Sequence, residues 1–209
     1  MEETIVEFAE KKPEELIKKE MEKFKQKIQG KVVCLYGQAW VGKSLFALNL
    51  SKYFKNAKLF LVDKNYPAEF FKVNPNLQVI EIDSPRQLDL MISKTPSLDD
   101  QLIIIDSITT LQTEFIRESY FSPRAYVEFN NFSDKVARQL TALTPRTTSL
   151  VIAHERIKDW EKKTVVPRLN WVFLRNIGII AHMVQEDDKR KIVIERVREL
   201  PSKVEFYFE

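Results

Sequence analysis

The chain is short of cysteine, glycine and long apolar runs, and each shortage removes a class of protein from consideration. Cys34 is the only cysteine in 209 residues, so an intramolecular disulfide is impossible. It lies in the apolar run at residues 32–36, where a buried, inert thiol is expected, and a reducing cytoplasm is the natural setting. Apolar stretches such as residues 102–105 and 177–181 fall far short of the ~20 residues that a membrane helix needs. The N-terminus is acidic and shows no basic stretch followed by an apolar one, so no signal peptide is expected. Charge of one sign is also lacking. The 33 basic and 30 acidic residues leave a net charge of +3, which implies no polyanionic partner by itself, so any nucleic-acid reading rests on local patches. Only 4 glycines beside 30% charged residues is a composition that leans towards a thermophile's surface.

What is present is enough apolar material for one core. A hydrophobic content of 44% over this length fits one domain better than two. Pro13, Glu14 and Glu15 make a good first helical turn and Gly30 a good stop, so a helix is expected over residues 13–29. Its apolar positions Leu16, Ile17, Met21, Phe24 and Ile28 lie near one stripe, which either packs on the domain or docks a neighbouring subunit. From Lys31 onward, apolar runs at residues 32–36, 59–63, 77–82, 102–106 and 150–153 alternate with helically spaced stretches at 43–54, 85–93 and 126–143. Fully apolar strands between amphipathic helices predict an α/β fold with a mostly parallel sheet flanked by helices. Residues 177–184, 192–197 and 204–208 are strand-like with short polar breaks, which predicts antiparallel C-terminal strands at the end of the sheet.

The sharpest local signal is Gly37-Gln38-Ala39-Trp40-Val41-Gly42-Lys43-Ser44, which fills every fixed position of the P-loop pattern Gly-x-x-x-x-Gly-Lys-Ser/Thr. It follows an apolar strand and precedes a helix, the arrangement the chemistry requires. Glycines let successive backbone N–H groups turn towards phosphates, and the helix N-terminus adds its positive dipole end. The ligand expected is ATP with Mg²⁺, held by residues 37–45, with Leu45 closing the stretch. Lys43 reaches the β- and γ-phosphates, and the Ser44 hydroxyl ligates the metal. The apolar strand at residues 102–106 ends in Asp106, where a carboxylate comes to lie beside the same Mg²⁺.

With these motifs the sequence resembles the RecA/RadA recombinase superfamily, and within it the archaeal RadA paralogues such as RadB. The resemblance rests on Ile104-Ile105-Asp106-Ser107-Ile108-Thr109, on the strand at 150–153 leading to His154, and on the ending at 192–198, Pro201 and 204–208. It covers roughly Lys31 to the C-terminus. It implies a RecA-like P-loop core over residues 31–209 preceded by an N-terminal segment and helix over 1–30. It also implies that His154 stands where the family usually has a phosphate-sensing glutamine. Asn65 falls where the family's water-activating glutamate is expected. An amide cannot accept a proton as a carboxylate does, so either Asp63 or Glu69 substitutes, or hydrolysis is slow. The recombinases' separate N-terminal DNA-binding domain has no counterpart in these residues.

Between residues 153 and 177 lie Arg156, Lys158, Trp160, Lys162, Lys163 and Arg168, where recombinases put a DNA-binding loop. Cations for phosphates interleaved with an aromatic for base stacking suit single-stranded DNA, while Glu155, Asp159 and Glu161 dilute the charge as in a solvated loop. Residues 122–126 form a weaker candidate. Arg196 and Arg198 are similar to family cations that reach a neighbouring subunit's nucleotide; the alternative is an exposed charged edge that discourages aggregation. The expectation is a weak or DNA-stimulated ATPase assisting DNA recombination and repair, with self-association or a RecA-family recombinase as partner and no membrane role. The alternative is a nucleotide-gated regulatory or assembly protein, KaiC-like or non-hydrolysing, without direct DNA binding.

Overall fold

The computed structural model describes residues 13–64, 66–118, 122–186, 189–197 and 204–208. In chain order the elements are α1 (Pro13–Ile28), β1 (Val32–Gly37), α2 (Lys43–Ser51), β2 (Asn56–Leu61), a 3-10 helix (Ala68–Val73), β3 (Leu77–Glu81), α3 (Pro85–Ser93), β4 (Gln101–Asp106), α4 (Ile108–Glu118), α5 (Pro123–Ala142), β5 (Thr147–Asp159), β6 (Thr164–Pro167), α6 (Trp171–Asn176), β7 (Ile179–Glu186), β8 (Lys189–Val197) and β9 (Val204–Phe208). The strands form one sheet in the order β3-β2-β4-β5-β1-β7-β8-β9, with β6 attached to β5. From β3 across to β7 every pairing is parallel, and β7-β8-β9 is antiparallel. This is the α/β architecture that the alternation of apolar runs and amphipathic helices predicts.

Strands β1 and β4 are buried at every position, which is why they read as unbroken apolar runs rather than as alternating ones. Their side chains divide between two cores. Val33, Leu35, Leu102 and Ile104 face a cluster that includes α1 and α2, whereas Val32, Cys34, Tyr36, Ile103 and Ile105 face one built with α3, α4, α5 and α6. Cys34 is fully buried, as its apolar setting predicts. Helix α1 seats Met21, Phe24 and Ile28 in the first cluster, so its stripe packs on its own domain rather than on a neighbour. The Phe24 ring meets Phe46 of α2 and Phe206 of β9 edge-on, each at 5.2 Å, tying the first helix to the last strand.

Several boundaries differ from the expectation for local reasons. Helix α2 stops at Ser51 rather than residue 54, and β2 starts at Asn56, because the N–H groups of Lys55 and Asn56 both turn to the carbonyl of Asp100. Helix α5 starts at Pro123, since the Ser122 side chain caps the Arg124 N–H and Arg124 pairs with Glu128; residues 122–126 are therefore a helix start. The segment after Ala153 is not a loop. Strand β5 runs on to Asp159 and pairs back with β6 as a hairpin.

Parallel crossovers gather the carboxyl ends of β1, β2, β4 and β5 on one edge. There Gly37 lies in register with His154, and Leu61 with Asp106. Chemistry-bearing residues far apart in sequence meet at that edge.

Candidate functional site

The turn after β1 has the geometry its glycines permit. Gly42 takes φ 97°, the left-handed region open to glycine, and immediately precedes the first residue of α2. Gly37 is required by a close approach, because a Cβ there would stand 2.3 Å from the Met183 carbonyl of β7. Trp40, with φ 67° and 96% exposure, points into solvent, while Val41 is buried beneath the turn. Gln38 and Ala39 are exposed along the rim and Leu45 is exposed on the first turn of α2. Lys43 is only 5% exposed, and its Nζ donates to the carbonyls of Gly37 at 3.0 Å and Gln38 at 2.5 Å. The ammonium thus sits under the turn, on backbone oxygens of the loop itself.

Across the edge Asp106 is 4% exposed. The Tyr66 hydroxyl stands between it and Ser44, 2.7 Å from Ser44 Oγ and 3.3 Å from Asp106 Oδ2. Tyr66 is held there by stacking on Phe70 of the 3-10 helix, with ring centroids 4.8 Å apart. A small polar group therefore bridges the two oxygens expected to hold Mg²⁺. Among the described residues no three His, Cys, Asp or Glu side chains gather as a metal cage. Two protein oxygens would leave most of the coordination shell to phosphate and water, which would suit Mg²⁺ because it resists full dehydration.

Both charges are poorly accommodated in the free site. Burial pushes the Lys43 ammonium down to about 8, opposed by the charges of Asp106 and Glu155. Burial pushes the Asp106 carboxyl up to about 6; Asp63 adds to this, while Ser44, Tyr66 and Lys43 oppose it. Neither group is closed by a salt bridge among the described residues. A phosphate beside Lys43 and a divalent cation beside Asp106 would each favour the charged form that burial disfavours.

His154, half-buried within β5 where its pairing with β1 ends, has its pKa lowered by burial and by the cations Lys43 and Arg168. It is therefore neutral near pH 7 and able to donate one hydrogen bond. Its backbone N–H donates to Thr109 Oγ1 of α4 at 3.2 Å, which ties β5 to α4 at this point. Of the two carboxylates named as substitutes for a water-activating glutamate, Asp63 lies close enough for its charge to act on Asp106, Tyr66 and His154. Glu69 is exposed on the 3-10 helix and is not brought to these groups. Asn65 lies outside the described residues.

The basic, Trp-containing segment is an ordered hairpin. Asp159 Oδ1 accepts from the N–H groups of Glu161 and Lys162, closing the turn, and Trp160 at the tip is 79% exposed. Arg156 pairs with Val166, and Lys158 is the extra residue where the register shifts between Ile157 and Asp159. Arg156 and Lys158 are exposed, as are Lys162, Lys163 and Arg168. On β8, Arg196 pairs with Ile180. Arg198 lies outside the described residues.

Three features of this edge carry no sequence motif. Tyr66 is one. Arg190 is the second; its guanidinium carbon would lie 3.2 Å from a Cβ on Gly42, so it rests directly on the glycine turn. The third is a polar group behind the turn. His182 stacks on Tyr36 at 4.3 Å and bonds Glu155 at 3.1 Å, while the Tyr36 hydroxyl donates to Glu195 at 2.8 Å. It joins β1, β5, β7 and β8, and burial, with Glu195, pushes the Tyr36 phenol upward. Compared with known proteins, the chain matches no family model and no curated protein.

Proposed function

We propose that the chain is a P-loop protein that binds a nucleoside triphosphate, ATP, together with Mg²⁺. The observation that carries this is the pairing at the edge of a buried lysine under the glycine turn with a buried aspartate bonded by Ser44 and Tyr66. Lys43 and the N–H groups of residues 38–44 would hold the phosphates. Ser44 and Asp106 would hold the metal, which when bound neutralises developing phosphate charge. Asp63 is the carboxylate that would accept a proton from water, and neutral His154 is the donor that would face the outer phosphate.

More particularly, we read it as a RecA/RadA-type paralogue, RadB-like, with weak or DNA-stimulated ATPase activity in DNA recombination or repair. The parallel sheet with an antiparallel end, the motif order along it and the basic hairpin support that reading. Single-stranded DNA is the partner that Trp160 and its flanking cations suit, and a second copy or a recombinase is the protein partner that Arg196 and Arg198 suit. A second reading, a nucleotide-gated regulator with little turnover, is favoured by the Tyr66 hydroxyl standing between the two metal-binding oxygens.

The test is equilibrium binding of Mg·ATP to the chain and to Lys43→Ala, followed by turnover with and without single-stranded DNA. Micromolar binding weakened by at least about a hundredfold in the variant is expected, since charge-assisted hydrogen bonds to phosphate are at stake. Binding that Lys43→Ala leaves unchanged would end the proposal. Turnover stimulated by DNA and lost in Asp63→Asn selects the first reading, and tight binding without turnover selects the second.

A further inference from the structure

A cleft of ≈ 320 Å³ opens beside Gly42, between α1, the exposed face of α2 and the β7–β8 edge. Its walls are apolar where Met21, Leu45, Phe46 and Met183 line it, and polar where Asn49 and Arg190 do. The Arg190 guanidinium packs flat on Gly42, with three of its atoms within 3.2–3.3 Å of where a Cβ would stand. It forms no hydrogen bond or ion pair among the described residues. A partly buried cation without a partner at the mouth of an apolar cleft is one half of a recognition site. The Asn49 side-chain amide, a donor and an acceptor together, is likewise unpaired among the described residues.

We propose that this cleft receives the nucleoside half of the bound nucleotide, with Arg190 touching the phosphate nearest the ribose and Asn49 meeting a base edge. The inference rests on the reading that the turn at residues 37–44 holds the phosphates. The volume is in the range of small-ligand pockets, and a flat heterocycle on apolar walls with a few polar groups is the chemistry such pockets take. The cleft begins where the phosphate turn ends, at Gly42 and Leu45, so a ligand anchored by its outer phosphates on Lys43 extends into it. Arginine rather than lysine suits the position, because a planar guanidinium can lie on a glycine and still present donors outward.

The experiment compares Mg·ATP with Mg·tripolyphosphate, which keeps the phosphates and lacks the nucleoside, by calorimetric titration at fixed salt. The unmodified chain should bind ATP at least about tenfold tighter than tripolyphosphate. Asn49→Leu should reduce the advantage for ATP without touching tripolyphosphate. Arg190→Ala should weaken ATP about tenfold, with Arg190→Lys recovering part of the loss. Equal affinity for the two ligands in the unmodified chain, or an ATP advantage that survives Asn49→Leu, overturns the inference while leaving the phosphate turn standing. Failure of the unmodified chain to bind either ligand removes the turn's role and this inference together.

Discussion

Asp106 sits where its charge is costly, and the cost is a pH-dependent one. Its carboxyl moves from the ordinary 3.8 up to about 6 on folding. Between those values the native state binds more protons than the unfolded chain. Stability from this group is therefore full below pH ~4 and is lost as pH rises to ~6, by roughly 3 kcal/mol if nothing screens it. Asp106→Asn, which stays neutral, should flatten that part of the stability curve and stabilise the free protein at pH 7. It should at the same time abolish the Mg²⁺ dependence of nucleotide binding. Urea melts from pH 4 to 7 check the first half, and an Asp106→Asn curve that still falls over this window would remove the assignment.

Tyr66 makes the complementary case. Its hydroxyl contacts both Ser44 Oγ and Asp106 Oδ2, so a cation held by those two oxygens would compete with it. Tyr66→Phe keeps the stack on Phe70 and removes the competitor. The expected outcome is a severalfold lower Mg²⁺ concentration at half-maximal ATP binding, worth about 1 kcal/mol for one neutral hydrogen bond. A variant that needs more Mg²⁺ than the parent would show instead that the hydroxyl assists the metal.

At the scale of elements, α1 is the part most easily misjudged. Its polar residues give it the look of a free-standing or partner-binding helix, yet Phe24 is fully buried between Phe46 and Phe206. Phe24→Ala should cost about 3–5 kcal/mol in urea unfolding, the range for a large aromatic removed from a packed core. A cost under about 1 kcal/mol would mean that the helix contributes little to the fold. The hairpin of β5 and β6 shows the opposite bias. Its Arg, Lys and Glu residues obscure a strand, because backbone pairing with Val165 and Val166, not side-chain burial, supports it. Helix α4 carries apolar residues at Ile108, Leu111, Phe115 and Ile116, a helical spacing hidden by the motif that precedes it.

Over the whole molecule, the parallel sheet sends the hairpin and the glycine turn to the same edge, so a strand of nucleic acid on one would lie near the other. If Lys158, Lys162 and Lys163 neutralise DNA phosphates, their joint replacement by glutamine should weaken single-stranded DNA binding equally for all sequences. The slope of log affinity against log salt should fall by roughly 0.7 for each phosphate no longer neutralised. Trp160→Ala should weaken binding by about 1–3 kcal/mol without changing that slope, since stacking releases no counterions. An unchanged slope in the triple variant would leave the hairpin as a solvated one.

The turn and helix start at residues 37–44 needed no tertiary information, because the glycines that permit them and the helix that follows stand together along the chain. The apolar run ending in Asp106 was legible for a similar reason: a strand buried on both faces leaves no polar alternation. The strand order, the seating of α1 and the meeting of Tyr66 with Ser44 and Asp106 were decided only by the fold. So were the placement of Arg190 on Gly42 and the nearness of Asp63 to Asp106 and His154. Each depends on crossovers that bring segments tens of residues apart to one sheet edge, and distance along a chain carries no record of distance in space.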